Sequence, residues 1–401
     1  MFLEILVALV LGVLTGIITG LTPGIHVNLV SVLVVTSSAF LLQFTSALSL
    51  GVYIISLAIT HTFLDTLPSI YLGAPDDALA LNVLPGHRLL KKGAGHLAVL
   101  YTLIGSFGSL LLGIILFPIF IWSMVKLQPL VSGWIGYGLI LITGYMVLKE
   151  KHKKLKSLTS FLLAGCLGLL VFSIPNLHQP LFPLLSGLFG LSLLLTSLAQ
   201  KSVIPVQDLD QPLTISHKNT VKSISAASGM GFIAAFLPGF GSSQAAIIAT
   251  NVVGDIGDEG FLSLVGGINT ANMVISIATA YALDKARNGA IVAVNDIMGS
   301  IGWKEMLVFL GVALVVGGLA TILTIYLSKI FARLIVKVNY NKLILGIIAF
   351  ITLLTIYFDG VLGLAILLTA TAIGLVASSW GVGKNHLMGC LMLPVIFYFI
   401  L

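Results

Sequence analysis

Two short motifs, more than two hundred residues apart, place the same chemistry in the same surroundings. They are GLTPGIHVN (Gly20 to Asn28) and AFLPGFGSS (Ala235 to Ser243). Each sets a Pro-Gly pair in an apolar segment, with a glycine four residues before the motif (Gly16, Gly231) and small polar residues after it. Proline removes a backbone donor and glycine permits a tight reversal, so each motif is expected to break a helix. A helix restarting after such a break offers unpaired N–H groups and the positive end of its dipole, which together suit an anion. The candidate ligands are Thr22, Pro23, Gly24, His26 and Asn28 at the first break. At the second they are Pro238, Gly239, Gly241, Ser242, Ser243 and Gln244. The competing reading is a kink that only helps packing. Its occurrence twice, each time beside polar side chains, weighs for a substrate site.

A second polar segment follows each motif. One runs from Thr60 to Gly93 (THTFLDTLPSIYLGAPDDALALNVLPGHRLLKKG), the other from Gly266 to Gly289 (GGINTANMVISIATAYALDKARNG). Both read as hairpins or broken helices facing the restarts. Asn269, Thr270 and Asn272 sit opposite His61, Thr62 and Asp65 in approximate register. A carboxylate among apolar residues is costly and marks function in a membrane, so Asp65 with His61 and Thr62 is the expected site of a coupling cation, Na+ or H+. The alternative is a surface carboxylate paired with a base. Lys285 and Arg287 pair with Asp284 or with Asp76 and Asp77, or face an anionic substrate, for which Arg287 is the better candidate because its fork matches a carboxylate or phosphate; the competing reading is a base that snorkels to the interface. His87 and His96 flank a basic turn and read as solvated. Asp255, Asp258 and Glu259 read as a loop at the water interface.

The elements that must hold these residues are membrane helices. Apolar residues make up 58% of the 401 and charged residues 8%, and apolar runs of about 18 or more recur throughout. That leaves no material for a soluble domain, and the polar stretch Gln200 to Lys222 reads as a linker. The first segment (Leu3 to Ile18) lacks a basic flank and a cleavage site, so it reads as a helix rather than a signal peptide. The expected fold is all-α and polytopic, with two inverted-topology repeats, Pro-Gly-broken helices or re-entrant hairpins, and roughly 10–14 membrane segments. The first repeat covers residues 1–200, a cytoplasmic linker 201–221, and the second repeat 222–401. After its broken region each half has four apolar spans: near 96–122, 132–148, 158–175 and 179–198, then near 305–328, 343–358, 361–378 and 386–401.

Charge gives the inversion. In the first half the loop after the second span carries Lys149, Lys151, Lys153, Lys154 and Lys156, and the loop after the first carries only Lys126. In the second half Lys329, Arg333, Lys337 and Lys342 follow the first span, and only Asp359 follows the second. Basic loops face the cytoplasm, so equivalent loops lie on opposite faces and both termini fall outside the cell membrane. The net charge of +6 then follows from topology and anionic headgroups, and no nucleic-acid partner is needed. Cys166 and Cys390 lie in apolar segments and fit neither a disulfide framework nor a metal site. No zinc pattern, nucleophile elbow or nucleotide loop is present, so an enzyme is not expected.

These residues resemble a known family. Gly16 to Asn28 (G-x-x-x-G-L-T-P-G-I-H-x-N), Leu67 to Gly93, Leu237 to Ser243 and Asp284 to Ala290 are similar to the large membrane subunit of tripartite tricarboxylate transporters, the TctA-like family, and especially to its stand-alone archaeal-type relatives. The resemblance implies a secondary transporter for di- or tricarboxylates driven by a cation gradient. It also implies a small membrane subunit and an extracytoplasmic binding protein as partners. The family's Pro-Gly motifs carry over onto Pro23-Gly24 and Pro238-Gly239. The expected function is a permease for a small organic anion working by alternating access, with no cofactor beyond coupling Na+ or H+. A second copy of the chain is a further possible partner. The alternatives are a translocase of a lipid-linked phosphate, such as a polyprenyl phosphate, and a membrane enzyme or scaffold.

Overall fold

A computed structural model describes residues 2–22, 27–73, 79, 81, 83–131, 133–150, 153–175, 177–199, 204–237, 241–284, 288–337 and 340–400. All regular structure among them is helical. Among the described residues seven helices are long and apolar enough to cross a bilayer, and shorter apolar helices accompany them. The chain is therefore a multi-pass membrane protein.

The first half contains α1 (Phe2–Leu21), α2 (Val27–Thr36), α3 (Ala47–Leu64), α4 (Val83–Lys91), α5 (Gly95–Ile115), α6 (Phe117–Val131), α7 (Ile135–Lys149), α8 (Lys154–Ser173), α9 (Leu181–Leu185) and α10 (Ser192–Ala199). The second contains α11 (His217–Phe236), α12 (Ser242–Val253), α13 (Gly257–Leu283), α14 (Gly289–Met298), α15 (Trp303–Ile335), α16 (Tyr340–Ser379) and α17 (Gly389–Ile400).

Small residues face inward and large apolar ones outward, the pattern of helices packed in lipid. On α1 the buried positions are Ala8, Gly12, Gly16, Thr19 and Gly20, while Leu3, Val7, Leu11, Leu14 and Ile18 are exposed. A Cβ on Gly16 would lie 2.6 Å from the Thr60 side chain and 2.7 Å from Leu57 O. The glycine stripe is thus what lets α1 lie against α3. The same device joins α5 to α13, where a Cβ on Gly105 would overlap the Ser263 carbonyl. Backbone cannot yield as a side chain can. Gly105→Ala is expected to lower the unfolding temperature in detergent, at a cost of about 1–3 kcal/mol or more. An unchanged transition would refute the close approach.

The helices α3 and α13 are the most enclosed of the seven: 83% and 89% of their spanning windows are buried, against 56% or less for the others. The two halves are interleaved around them. Helix α3 packs on α1 and on α15, and α13 packs on α11 and on α5. Further out, α8 packs on α17, and α16 packs on the π turn Ser186–Leu191 and its flanks α9 and α10.

Both segments expected as hairpins or broken helices begin as helix and are interrupted at a residue of positive φ. The segment from Gly266 runs as uninterrupted helix to Leu283 and stops at Asp284, whose φ is 48°. It contains no proline, and Gly266 and Gly267 pack against Thr102 and Ser109 of α5 rather than breaking the chain. The first-half counterpart stops in the same way: α3 ends at Leu64, a π turn carries the helical span on through Pro68–Leu72, and Gly73 takes φ 65°.

Helix α16 has 40 residues, about 60 Å at helical rise, or twice the hydrocarbon thickness. Gly360 divides it with φ 61° and ψ −148°, and the two arms match the expected spans 343–358 and 361–378. Asp359 accepts hydrogen bonds from His178 N (2.6 Å) and Gln179 N (3.1 Å) at that division. The polar stretch between the halves is docked rather than loose. Gln207 accepts from Gly95 N at 2.8 Å and donates to Leu90 O at 3.1 Å. Helix α11 starts at His217, inside the stretch read as linker, with Ser216 capping Asn219 N.

The reading of His87 and His96 as solvated is corrected: both are buried, because distant partners close over them. His96 Nδ1 lies 2.9 Å from Ser328 Oγ, and the same Ser328 takes Tyr71 OH at 3.1 Å, so this knot joins α5 to α15. His87 lies against Gly73. Burial, reinforced by Lys91 and then Lys384, brings its imidazole down to about 4, although a hydrogen bond with the Ile70 backbone acts the other way. The unfolded chain therefore takes up a proton near pH 6.5 that the folded chain refuses until about pH 4. Stability from this site is complete above pH 6.5 and is lost as pH falls through that window, by about 2–3 kcal/mol. Thermal unfolding in detergent at pH 7 and pH 4.5 should show the loss, and His87→Gln should flatten it.

Candidate functional site

The polar residues singled out by sequence sit mainly on the two enclosed helices. On α3, Thr60, His61 and Thr62 are buried, with Asp65 just beyond its end. On α13, Asn269 and Thr270 are buried and Asn272 is partly so. Polar groups at membrane depth need partners from protein, and three pairings supply them.

The first is across the halves. Asn269 Nδ2 donates to Asp65 Oδ2 at 2.9 Å, with Asp65 only 3% exposed. A carboxylate buried at this depth is costly and needs partners from the protein, and the Asn269 amide is one of them. The next hydroxyl along the chain, Thr66 Oγ1, and Ser69 Oγ are both buried with no hydrogen-bond partner among the described residues, as is Thr270 Oγ1.

The second and third pairings each tie an enclosed helix to a helix beside a break, the one before it in the first half and the one after it in the second. His61 Nδ1 lies 3.1 Å from Thr19 Oγ1 on α1. Asn272 Nδ2 donates to Ser242 Oγ at 3.3 Å, at the first turn of α12. Gly16 and Gly231 each precede their proline by seven residues. Gly16 packs on Leu57 and Thr60, Gly231 on Ala271 and Asn272. This contact register equates His61 with Asn272, a few positions away from the register read off the sequence. Thr19 was missed there; its signal is its place on the small-residue face of α1.

Around the two motifs, α1 ends at Leu21 and α2 begins at Val27, while α11 ends at Phe236 and α12 begins at Ser242. Leu237 is extended (φ −87°, ψ 127°), as steric conflict with a following proline requires. Pro23, Gly24, His26, Pro238, Gly239 and Arg287 lie outside the described residues, as do Asp76, Asp77 and Lys285 and the side chain of Gln244. Thr22 is half-buried at the end of α1, Gly241 is half-buried, and Ser242 and Ser243 are buried. Asn28, at the start of α2, has its side chain against Gly289, leaving no room for a Cβ there. The first restart thus meets the start of α14, two residues from Arg287 in the chain.

The sequence predicts an interfacial loop over Asp255, Asp258 and Glu259. Asp258 and Glu259 instead lie in the first turn of α13, and Asp258 Oδ1 accepts from Arg88 Nη2 at 2.6 Å. The described residues contain no cluster of three or more His, Cys, Asp or Glu suited to a metal ion. The described part of the arrangement offers amides, hydroxyls and backbone groups.

The chain is 28% identical over 410 aligned positions to an uncharacterized protein of Methanocaldococcus jannaschii, covering 98% of this chain and 99% of the other. No solved structure matches it. The model of the tripartite tricarboxylate transporter TctA family matches residues 6–389, and the chain belongs to that family.

Proposed function

We propose that the chain is a secondary carrier for a small organic anion, a di- or tricarboxylate, operating by alternating access between two inverted halves, 1–200 and 222–401, joined through 201–221. The observation that carries the reading is the enclosure of α3 and α13. The two helices with the least contact to lipid hold the buried Asp65–Asn269 pair and the residues that face the restarts. The exchange of packing partners between halves supports an inverted duplication, in the form known for transporters. The substrate site comprises Thr22 to Asn28 of the first restart, Pro238 to Gln244 of the second, Asn269, Thr270 and Asn272 of α13, and Arg287. Asp65, with His61 and Thr62, takes the coupling Na+ or H+. The lysine-rich loops face the cytoplasm and both termini face outward. A small membrane subunit and an extracytoplasmic binding protein are its partners, as the family's tripartite name suggests.

Uptake of labelled di- and tricarboxylates into proteoliposomes tests this. Saturable accumulation that needs an inward Na+ or proton gradient is expected. No accumulation of any carboxylate under either gradient would contradict the reading.

A second reading, translocation of a lipid-linked phosphate, has one observation in its favour. A groove of about 440 Å³ beside the first break is walled by Leu21, Thr22, Leu72, Leu343 and Phe350 and has Lys342 among its lining residues. An apolar wall with a basic residue suits a lipid phosphate. Flipping of a short-chain polyprenyl phosphate by the same proteoliposomes, with carboxylates inert, would bring this reading forward.

A further inference from the structure

We infer that a cavity of about 460 Å³ between α4, α12 and the 383–385 turn is a second anion-binding station, separate from the restarts, in which Lys384 is the fixed cation and Arg88 a conditional one. Its size falls in the range of small-ligand sites. Its walls come from both halves: Arg88 and Phe189 from the first, Asn251, Asp258, Lys384 and Asn385 from the second.

Lys384 is half-buried. Its ammonium donates to Ser192 Oγ at 2.9 Å and to Phe189 O at 3.2 Å. Those neutral groups use two of its three donors and cancel none of its charge. Among the described residues no carboxylate makes an ion pair with it. A partly desolvated cation without a counter-charge is unfavourable, and an oxyanion in the cavity would supply both the missing charge and the third hydrogen bond. The amide of Asn385 lines the same space and has no hydrogen-bond partner among the described residues.

Arg88 is held differently. Its pair with Asp258 is 2.6 Å long, but the side chains are 54% and 34% exposed. Such a pair contributes at most about 1 kcal/mol, so a multivalent anion can compete for the guanidinium. Asp255 also lines the cavity, with its carboxylate accepting from Gly257 N at 3.1 Å.

The cavity touches Ile247, Thr250 and Asn251 of α12, while Ser242 and Ser243 open that helix. Thr250 is eight residues past Ser242, roughly 12 Å along the axis. An anion bound here therefore lies well away from the restart site, on the side of the chain that carries Arg88 and Lys91. The occupant is a compact carboxylate or phosphate, whether a free solute or the headgroup of an anionic lipid. The inference rests on the cavity and does not need the transport reading.

Calorimetric titration of the full chain in phosphatidylcholine nanodiscs, with citrate and with inorganic phosphate as probes, tests it. Lys384→Met and Asn385→Asp are expected to weaken binding of at least one probe by about tenfold, and Lys384→Arg to retain it within about threefold. Asn272→Ala, at the restart site, should leave that Lys384-dependent binding intact. Adding phosphatidylglycerol to the discs separates the sources. Competition seen in the unsubstituted chain and lost in Lys384→Met identifies a lipid headgroup, and no competition identifies a free anion. Unfolding temperatures near that of the unsubstituted chain verify that the variants are folded. Binding in Lys384→Met and Asn385→Asp equal to the unsubstituted chain, or no anion binding that depends on Lys384, overturns the inference. If Asn272→Ala alone weakens binding, the restart site stands and the cavity does not.

Discussion

Asp65→Asn is expected to abolish gradient-driven uptake while leaving the protein folded. The substitution keeps shape and keeps an oxygen able to accept from Asn269 Nδ2, now at 2.9 Å from Asp65 Oδ2. What it removes is the negative charge. Asp65 is only 3% exposed, and the amide fills the same space and keeps the bond to Asn269. Stability in detergent should therefore change by no more than about 1–2 kcal/mol. If the carboxylate carries the coupling ion, concentrative uptake should fall by about 100-fold, the equivalent of roughly 3 kcal/mol of lost ion binding. Uptake within about twofold of the unsubstituted chain, together with a lowered unfolding temperature, would assign Asp65 to structure instead.

Asn272→Ala should act on the substrate rather than on the driving ion. Asn272 Nδ2 donates to Ser242 Oγ across 3.3 Å, a long bond that orients the first turn of α12 and contributes little on its own. A hydrogen bond to a charged ligand contributes about 1.5–3 kcal/mol, so its loss should raise the half-saturation concentration for the anion by about 10- to 100-fold. Maximal uptake and ion dependence should change much less. Ser242→Ala should have a similar but smaller effect. A variant with an unchanged half-saturation concentration and a lowered unfolding temperature would mark the bond as structural.

Membrane class and span positions could be read from sequence because length and apolarity do not depend on neighbours. The span expected near 305–328 lies within Trp303–Ile335, and the pair near 343–358 and 361–378 meets at Gly360. The span near 96–122 covers two helices, α5 and α6, which meet next to Pro118. Where neighbours decide, single-residue reasoning misled. Gly266-Gly267 suits close helix packing by composition alone, and α5 does lie against it, but which helix fills that role is not written in the segment. His87 and His96 stand beside basic residues, which suggests solvent, yet Ile70 and Ser328 enclose them. The residue types of the candidate site were legible because polar groups stand out in apolar sequence. Their pairing was only approximate: the register between halves is set by Gly16 on Thr60 and Gly231 on Ala271, contacts that no local pattern announces. The Arg88–Asp258 pair joins residues far apart in the chain, and neither end signals the other.

The central claim is that both restarts touch one anion, and thiol protection measures that most directly. Asn28→Cys and Ser243→Cys are made singly in a chain whose own Cys166 and Cys390 are replaced, and labelling by a small maleimide is followed in proteoliposomes as a transported carboxylate is added. The expected result is that the same anion slows labelling at both positions with the same half-effective concentration. Protection at one position only, or at two unrelated concentrations, would contradict a shared site between the halves.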